Sequence, residues 1–495
     1  MRAEHMHYRQ LNPKVSVSIV FVVGMFMSIM DGTIVNVALP SIGHQLAVPS
    51  TSIDAVVVAY LLSLAVVIPA SGWLGDRWGT KRVFLVALAL FTITSALCGL
   101  ASNFTMLVFF RFLQGAAGGA LAPVGTAMLY RTFPPAERVR ISSILIIPTV
   151  IAPATGPVLG GLLVDSLSWR WVFFVNVPIG IAAFLFGLFF LQEHREPKAG
   201  RFDLPGFLLA GLGLALALYA LSEGPTSGWT SLTVLGSTLG GLLLLSTFVV
   251  VELRRREPLL DLRLLGNRLF RTASLVSLVS SAGFLGVLFV APLFLQQGLG
   301  VTPLTSGLTT FPEALGVVLS SQIVARLYPR VGPRRLMVAG LTGVTIVVGP
   351  LVLIGPNTSL WLMRVLIFLM GAGMAFAFVP VQTAAFATIS SAATGGASAL
   401  SNAMRQLGSA LGVAVLGEVL SAVGTTHLSA TGQALPNLAA YHAAFLAAAV
   451  LMLIAAGIAL AVSDRDAAPS MPSQAKWSGD KDTSEQTTSM EAAFE

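Results

Sequence analysis

Fourteen apolar stretches separated by short polar breaks leave this chain few ways to fold. They run over 15–39, 54–74, 82–101, 104–130, 141–164, 170–191, 204–222, 230–251, 272–297, 305–326, 335–354, 358–387, 397–421 and 440–463. A hydrocarbon core about 30 Å thick takes roughly 20 residues of helix per crossing. Backbone groups in lipid have no water to bond, so each crossing must satisfy its own hydrogen bonds. The spacing therefore predicts an all-α polytopic membrane protein with fourteen spans. Composition agrees: charged residues make up only 10% of the chain and its mean hydropathy is +0.83, far from a soluble globular domain. The first stretch follows Arg2, Arg9 and Lys14, is too long for a signal-peptide core and lacks a small-residue cleavage site, so it is expected to stay attached as span 1. A single cysteine, Cys98, excludes an intramolecular disulfide and any CxxC zinc or redox motif.

A net charge of +7 would suit a nucleic-acid partner if the basic residues formed a patch. They follow the spans instead. With an even number of crossings, 25 of the 29 Lys and Arg fall in the terminal segments and alternate loops on one side. The exceptions are Arg170, just beyond the other side, and Arg111, Arg364 and Arg405, inside spans. The positive-inside rule places both termini in the cytoplasm of a chain expected in the cytoplasmic, or inner, membrane. The excess charge is a topology signal, and nucleic-acid binding is not expected. Residues 464–495 are too polar to pack and read as a disordered cytoplasmic tail.

The chain also repeats itself at an offset of 253 residues, within about one position. "GWLGDRWGTKR" at 72–82 returns as "ARLYPRVGPRR" at 325–335, and "NFTMLVFFR", ending at Arg111, returns as "NTSLWLMR", ending at Arg364. Span 2 thus maps to span 10 and span 4 to span 12. The expected organisation is a six-helix bundle over 1–191, linkers with an inserted hairpin (spans 7 and 8) over 192–271, and a second six-helix bundle over 272–463. Parallel repeats of this kind bind substrate near the midplane between the halves.

Five motifs in order resemble the major facilitator superfamily, and within it the fourteen-helix branch of drug:proton antiporters. They are "MDGTIVNVALP" in span 1, "GWLGDRWGTKR" between spans 2 and 3, "RFLQGAAGGA" at 111–120 in span 4, "APATGPVLGG" at 152–161 in span 5, and "WRWVFFVNVPIG" at 169–180 entering span 6. The resemblance covers nearly the whole chain and implies the family's fold and drug:proton antiport, with the span 5 motif associated with exporters. Two departures stand out. Pro329 replaces Asp76 in the second-half loop, so any carboxylate switch there belongs to the first half. The loop at about 422–439 is short, which disfavours a periplasmic adaptor protein; a monomer suffices.

In the 72–82 loop, Gly72 and Gly75 allow close helix contact and tight chain geometry, and Gly79 completes the motif. Asp76 is placed to accept bonds at a helix end or to pair with a cytoplasmic arginine such as Arg140, while Arg77, Lys81 and Arg82 anchor at headgroups. The loop is either a plain charged turn or a latch that breaks during transport. In span 5, Gly156, Pro157, Gly160 and Gly161 permit a bend and tight packing, read either as a kink or as a seal on the pathway.

Arg111 cannot shed its proton, and a charge at midmembrane costs at least about 2.5–3.5 kcal/mol, so it must face the protein interior. At 1.5 Å per residue, Asp31, Arg111, Glu313, Arg364 and Arg405 fall in a similar layer, roughly 12–15 Å from a span end. One central cavity explains them better than five separate accidents. Asp31 and Glu313 are the two carboxylates able to carry a proton there; burial and a neighbouring arginine act on such a group in opposite senses. Asp31 is expected to carry the coupling against Arg111, with Glu313 the alternative. Asn36, Gln114, Gln382 and Asn402, with Arg364 and Arg405, are expected to face the cavity, and Phe26, Phe109, Phe110, Phe284, Phe376 and Phe378 are candidate aromatic walls.

No nucleophile–base set, metal-ligand cluster or P-loop occurs, so an enzyme, a cofactor and direct use of ATP are not expected. The favoured reading is proton-coupled export of lipophilic, cationic or amphipathic compounds. Export of a specific endogenous metabolite is the alternative. A membrane sensor is disfavoured because the chain has no sizeable soluble domain.

Overall fold

The computed structural model of the chain describes residues 12–47, 53, 55–134, 137–196, 200–255, 258–428 and 434–471. It is all-α apart from one small ribbon among those residues. The first half holds α1 (Pro13–Gln45), α2 (Ala55–Trp78), α3 (Thr80–Leu100), α4 (Phe104–Thr132), α5 (Arg138–Ser166), and α6 (Trp171–Phe174) running into α7 (Asn176–Phe190). A hairpin follows, α8 (Leu204–Ser227) and α9 (Leu232–Arg254). The second half holds α10 (Arg268–Leu293), α11 (Pro303–Thr310), α12 (Pro312–Val331), α13 (Pro333–Val348), α14 (Leu360–Ala385), α15 (Thr394–Val423) and α16 (Leu438–Ala459). Between α15 and α16, β1 (Thr426–Leu428) pairs antiparallel with β2 (Ala434–Pro436), with His427 opposite Leu435. The sequence did not announce this ribbon.

Among the described residues, 13 helical segments are long and apolar enough to cross a membrane. The expected span at 141–164 lies in α5, a helix of 29 residues whose described apolar stretch is Ile151–Val164. The helix starts are written in short polar side chains that satisfy orphan N–H groups. Asn12 accepts from the Lys14 amide at 3.0 Å with Pro13 opening α1, Asn103 accepts from Met106 at 2.8 Å, and Asn267 accepts from Phe270 at 3.1 Å. Pro312, which has no amide hydrogen, begins α12 where α11 has ended, dividing the tenth span in two.

The internal repeat is visible in the backbone. Gly79 joins α2 to α3 at φ +100°, and Gly332, 253 residues on, joins α12 to α13 at φ +86°. Both turns need the left-handed region that glycine enters without penalty. Helix crossings are also close enough to exclude a side chain. A methyl on Gly115 of α4 would sit 2.1 Å from the Tyr60 carbonyl of α2, and one on Gly412 of α15 would sit 1.9 Å from the Ala282 carbonyl of α10. The inserted hairpin is not a loose appendage: α8 packs on α2 and α15, and the Trp229 indole donates to the Glu418 carboxylate on α15.

The expected disordered tail needs correction at its start. Residues 464–471 fold back on the second half: Asp464 accepts from the Arg334 amide at 2.9 Å, Ser470 bonds Tyr328 at 2.9 Å, and Met471 is fully buried. Polar composition hid this because two side-chain bonds and one apolar anchor suffice to hold eight residues. Residues 472–495 lie outside the described set.

Candidate functional site

Asp31, the acid inside α1, is fully buried and fully engaged. Its Oδ1 accepts from Gln114 Nε2 at 3.0 Å and from Asn176 Nδ2 at 2.9 Å. Its Oδ2 pairs with Arg111 Nη1 on α4. Arg111 is also buried completely; its Nε donates to the Val56 carbonyl at 3.2 Å and its Nη1 to Gln114 Oε1 at 3.0 Å. The remaining nitrogen, Nη2, has no hydrogen-bond acceptor, but the guanidinium stacks on the Tyr60 ring at 4.2 Å, with Phe173 at 5.8 Å, an arrangement that offsets part of the desolvation. Asn176 also reaches Ser95 Oγ at 3.1 Å. Five helices of the first half thus supply one compact polar network inside apolar packing, where satisfied partners decide whether a buried charge is tolerable.

The network sits behind a central cavity of about 320 Å³ rather than in its wall. α1, α2, α4 and α5 line one side and α10, α14 and α15 the other. Ser28, Tyr60 and Thr33 reach the cavity from the first half, and Phe284, Gln382 and Arg405 from the second. Tyr60 touches both places. Its ring covers Arg111 and its hydroxyl donates to the Ser28 carbonyl at 3.0 Å. Gly156 and Gly160 of α5 press against α1 beside this network: a methyl on Gly156 would be 2.2 Å from Thr33 Oγ1, and one on Gly160 3.0 Å from Ile34 Cγ1.

Toward the end of the bundle that carries the basic loops, the two halves close on each other. Asp76 on α2 pairs with Arg131 Nη2 at 2.6 Å, and Arg131 Nε donates to the Ser391 carbonyl at 3.4 Å. Ser398 donates to the Pro123 carbonyl at 2.7 Å, Ser142 bonds Thr383 at 2.8 Å, and Tyr130 stacks on Phe386 at 4.2 Å. A methyl on Gly72 would meet the Gly395 carbonyl at 2.7 Å. His194 flanks this corner, its carbonyl accepting from the Thr80 amide at 2.9 Å. Burial first, and then the Arg131 guanidinium, holds its imidazole below the ordinary value.

Several expected placements change. Asp76 finds Arg131; the side chains of Arg140 and Pro157 lie outside the described set. Gly75 makes ordinary contact, with its nearest neighbour at 3.6 Å, and Gly161 faces open space, so neither is a tight-packing position. Arg77 is exposed, and Arg82 lies 3.6 Å from Glu193. Asn36 is exposed on α1 and outside the cavity wall, because one residue is a rotation of about 100° around a helix and depth alone cannot fix a face. Arg364 also lies off the cavity, stacked on Trp361 at 4.7 Å with its Nε unpartnered. Gln114 belongs to the Asp31 network, whereas Gln382, Asn402 and Arg405 do line the cavity. Glu313 is buried outside that wall, its Oε1 without a partner. Of the aromatic candidates, Phe284 and Phe378 line the cavity, while Phe109 is 56% exposed.

Tyr60 and Asn176 were missed in the sequence. Asn176 had the same signal as Asp31, a polar side chain in an apolar run, within a motif already singled out. Tyr60 had none, since a tyrosine in a span usually reads as an interfacial residue.

Comparison with known proteins agrees with this geometry. The profile of the Major Facilitator Superfamily matches residues 21–413. Proteins designated MdtD and named for multidrug resistance, from Salmonella heidelberg and Salmonella typhimurium, are 33% identical over 405 residues, covering 82% of this chain and 86% of theirs. The crystal structure of the human organic anion transporter MFSD10 (TETRAN) aligns with a TM-score of 0.64 at 18% identity, over 91% of this chain and all of that one, a likeness of fold. With a family profile spanning most of the chain and relatives along its length, this protein belongs to the Major Facilitator Superfamily of membrane transporters.

Proposed function

We propose that the chain is a proton-coupled exporter of lipophilic, amphipathic compounds, working by alternating access with fourteen spans in the cytoplasmic membrane and both termini inside. In this reading the basic end faces the cytoplasm and is closed, so the described state is the one from which cargo leaves. The observation that carries it is the Asp31–Arg111 network placed directly behind a cavity shared by both halves. A proton arriving at Asp31 cancels the charge that holds Arg111. The guanidinium must then find other acceptors or move, and Tyr60, stacked on it, transmits that change to the cavity wall. Return to the inward state breaks Asp76–Arg131, the latch. The names of the MdtD relatives support export of foreign compounds. The expected preference for cations finds no support in the cavity wall, which among the described residues carries no carboxylate.

The test measures proton release from energised everted vesicles on adding amphipathic dyes. Asp31→Asn should abolish the substrate-driven response while leaving protein in the membrane, and Glu313→Gln should retain it. Retention by Asp31→Asn together with loss in Glu313→Gln transfers the coupling to α12.

A further inference from the structure

We infer that the cavity selects compounds with an anionic head group, and that Arg405 is the residue that reads the charge. The inference rests on the exporter reading and names its cargo class. Among the described residues, Arg405 is the one ionisable side chain with a formal charge in the cavity wall. Its partner is neutral: Nη2 donates to Asn402 Oδ1 at 3.3 Å, and among the described residues no carboxylate lies within ion-pair distance. Two other buried arginines are answered by acids, while Arg364, away from the cavity, stacks on Trp361. Arg111 has Asp31, and Arg131 has Asp76. A guanidinium facing an enclosed, largely apolar space gains most from a planar anion that accepts two of its N–H groups at once.

The surroundings complete such a site. Gln382, Asn402, Gln406 and Ser281 provide neutral donors and acceptors near the head group, and Phe284 and Phe378, in edge contact at 5.3 Å, offer an apolar wall for the rest of the molecule. A cation would meet Arg405 with no acid to offset it, which rejects as well as selects. Asp31 does not compensate, because it lies behind the wall and its charge is matched by Arg111. Proton and cargo therefore do not compete for one carboxylate. Their coupling runs through the packing of Tyr60 between them.

The test titrates purified, detergent-solubilised protein with carboxyfluorescein and with ethidium, reading fluorescence anisotropy. The wild type should bind the anionic dye at least about tenfold more tightly than the cation. Arg405→Gln should weaken the anion by about ten- to a hundredfold while leaving ethidium unchanged, and Arg405→Lys should recover part of the loss. Equal or tighter binding of ethidium by the wild type overturns the inference, as does an unchanged anion affinity in Arg405→Gln or a lack of saturable carboxyfluorescein binding. The wild-type comparison stands even if a variant fails to fold. Proton release driven by ethidium in vesicles would keep the exporter reading and sink the charge assignment. Arg405-dependent binding of the anion with no proton response to either dye would do the reverse.

Discussion

Adding 253 to Tyr60 gives Glu313, and adding 253 to Arg111 gives Arg364, so the two halves carry the same two positions with different chemistry. In the first half a neutral ring stacks on the arginine at 4.2 Å and a separate acid, Asp31, neutralises it. In the second half the acid stands at the ring's position, yet among the described residues Glu313 makes no ion pair, and Arg364 stacks on Trp361 instead. The close crossing is shared to within about a helical turn: a methyl on Gly115 would meet the Tyr60 carbonyl at 2.1 Å and one on Gly371 the Glu313 carbonyl at 2.2 Å, although the 253-residue offset pairs Gly371 with Gly118. A repeat therefore preserves helix crossings, which backbone sterics enforce, more faithfully than it preserves charge pairing, which depends on neighbours from other helices.

The largest test of that contrast is stability. Arg111→Ala leaves Asp31 buried without its counter-charge and should cost about 3–5 kcal/mol, seen as a large loss of thermal stability in detergent. Arg364→Ala forfeits a stacking contact worth about 0.5–1 kcal/mol. Equal losses would show that the halves treat buried charge alike. Next, the double variant Asp31→Asn with Arg111→Gln removes both charges and keeps hydrogen-bonding groups, so it should recover at least about half of the Arg111→Ala loss. If the pair of substitutions is worse than the single one, the network depends on more than neutrality.

A smaller effect separates the two loop motifs. The repeat places Ala325 opposite Gly72 and Pro329 opposite Asp76, so only the first half has the carboxylate of the proposed latch. Gly72→Val should strain the contact with Gly395 by about 1–3 kcal/mol and raise labelling of a cysteine placed at Ser281 from the basic side. Cys98 is buried and leaves a low background. Gly161→Val, facing open space, should change nothing. The smallest effect is with pH. The folded chain holds the His194 imidazole below its ordinary value, so the unfolded chain binds the extra proton more readily. Stability at this corner is then intact above about pH 6.5 and falls as the pH drops below it. His194→Gln should flatten that slope in melting curves, and an unaltered slope would remove His194 from the corner's balance.

Much of this was legible in the chain. Span positions follow from runs of apolar residues, and the halves from the 253-residue offset, which also pairs Gly79 with Gly332. The partnership of Asp31 with Arg111 was legible too, because two opposite charges at one depth in a low-dielectric medium have few ways to avoid each other. Asn36 and Arg364 show where depth stops helping: it places a residue along a helix but not around it.

The sequence by itself determined an all-α membrane transporter with an internal repeat, since hydrophobicity, chain length and backbone hydrogen bonding act along the chain and leave a linear record. Only the tertiary structure decided that Asp31 stands behind the cavity rather than in it, that Asn176 and Tyr60 complete its network, and that Arg405 faces the cavity without an acid. Those outcomes depend on helix rotation and on which neighbours pack against which face. Such contacts between residues far apart in sequence leave no local pattern to read.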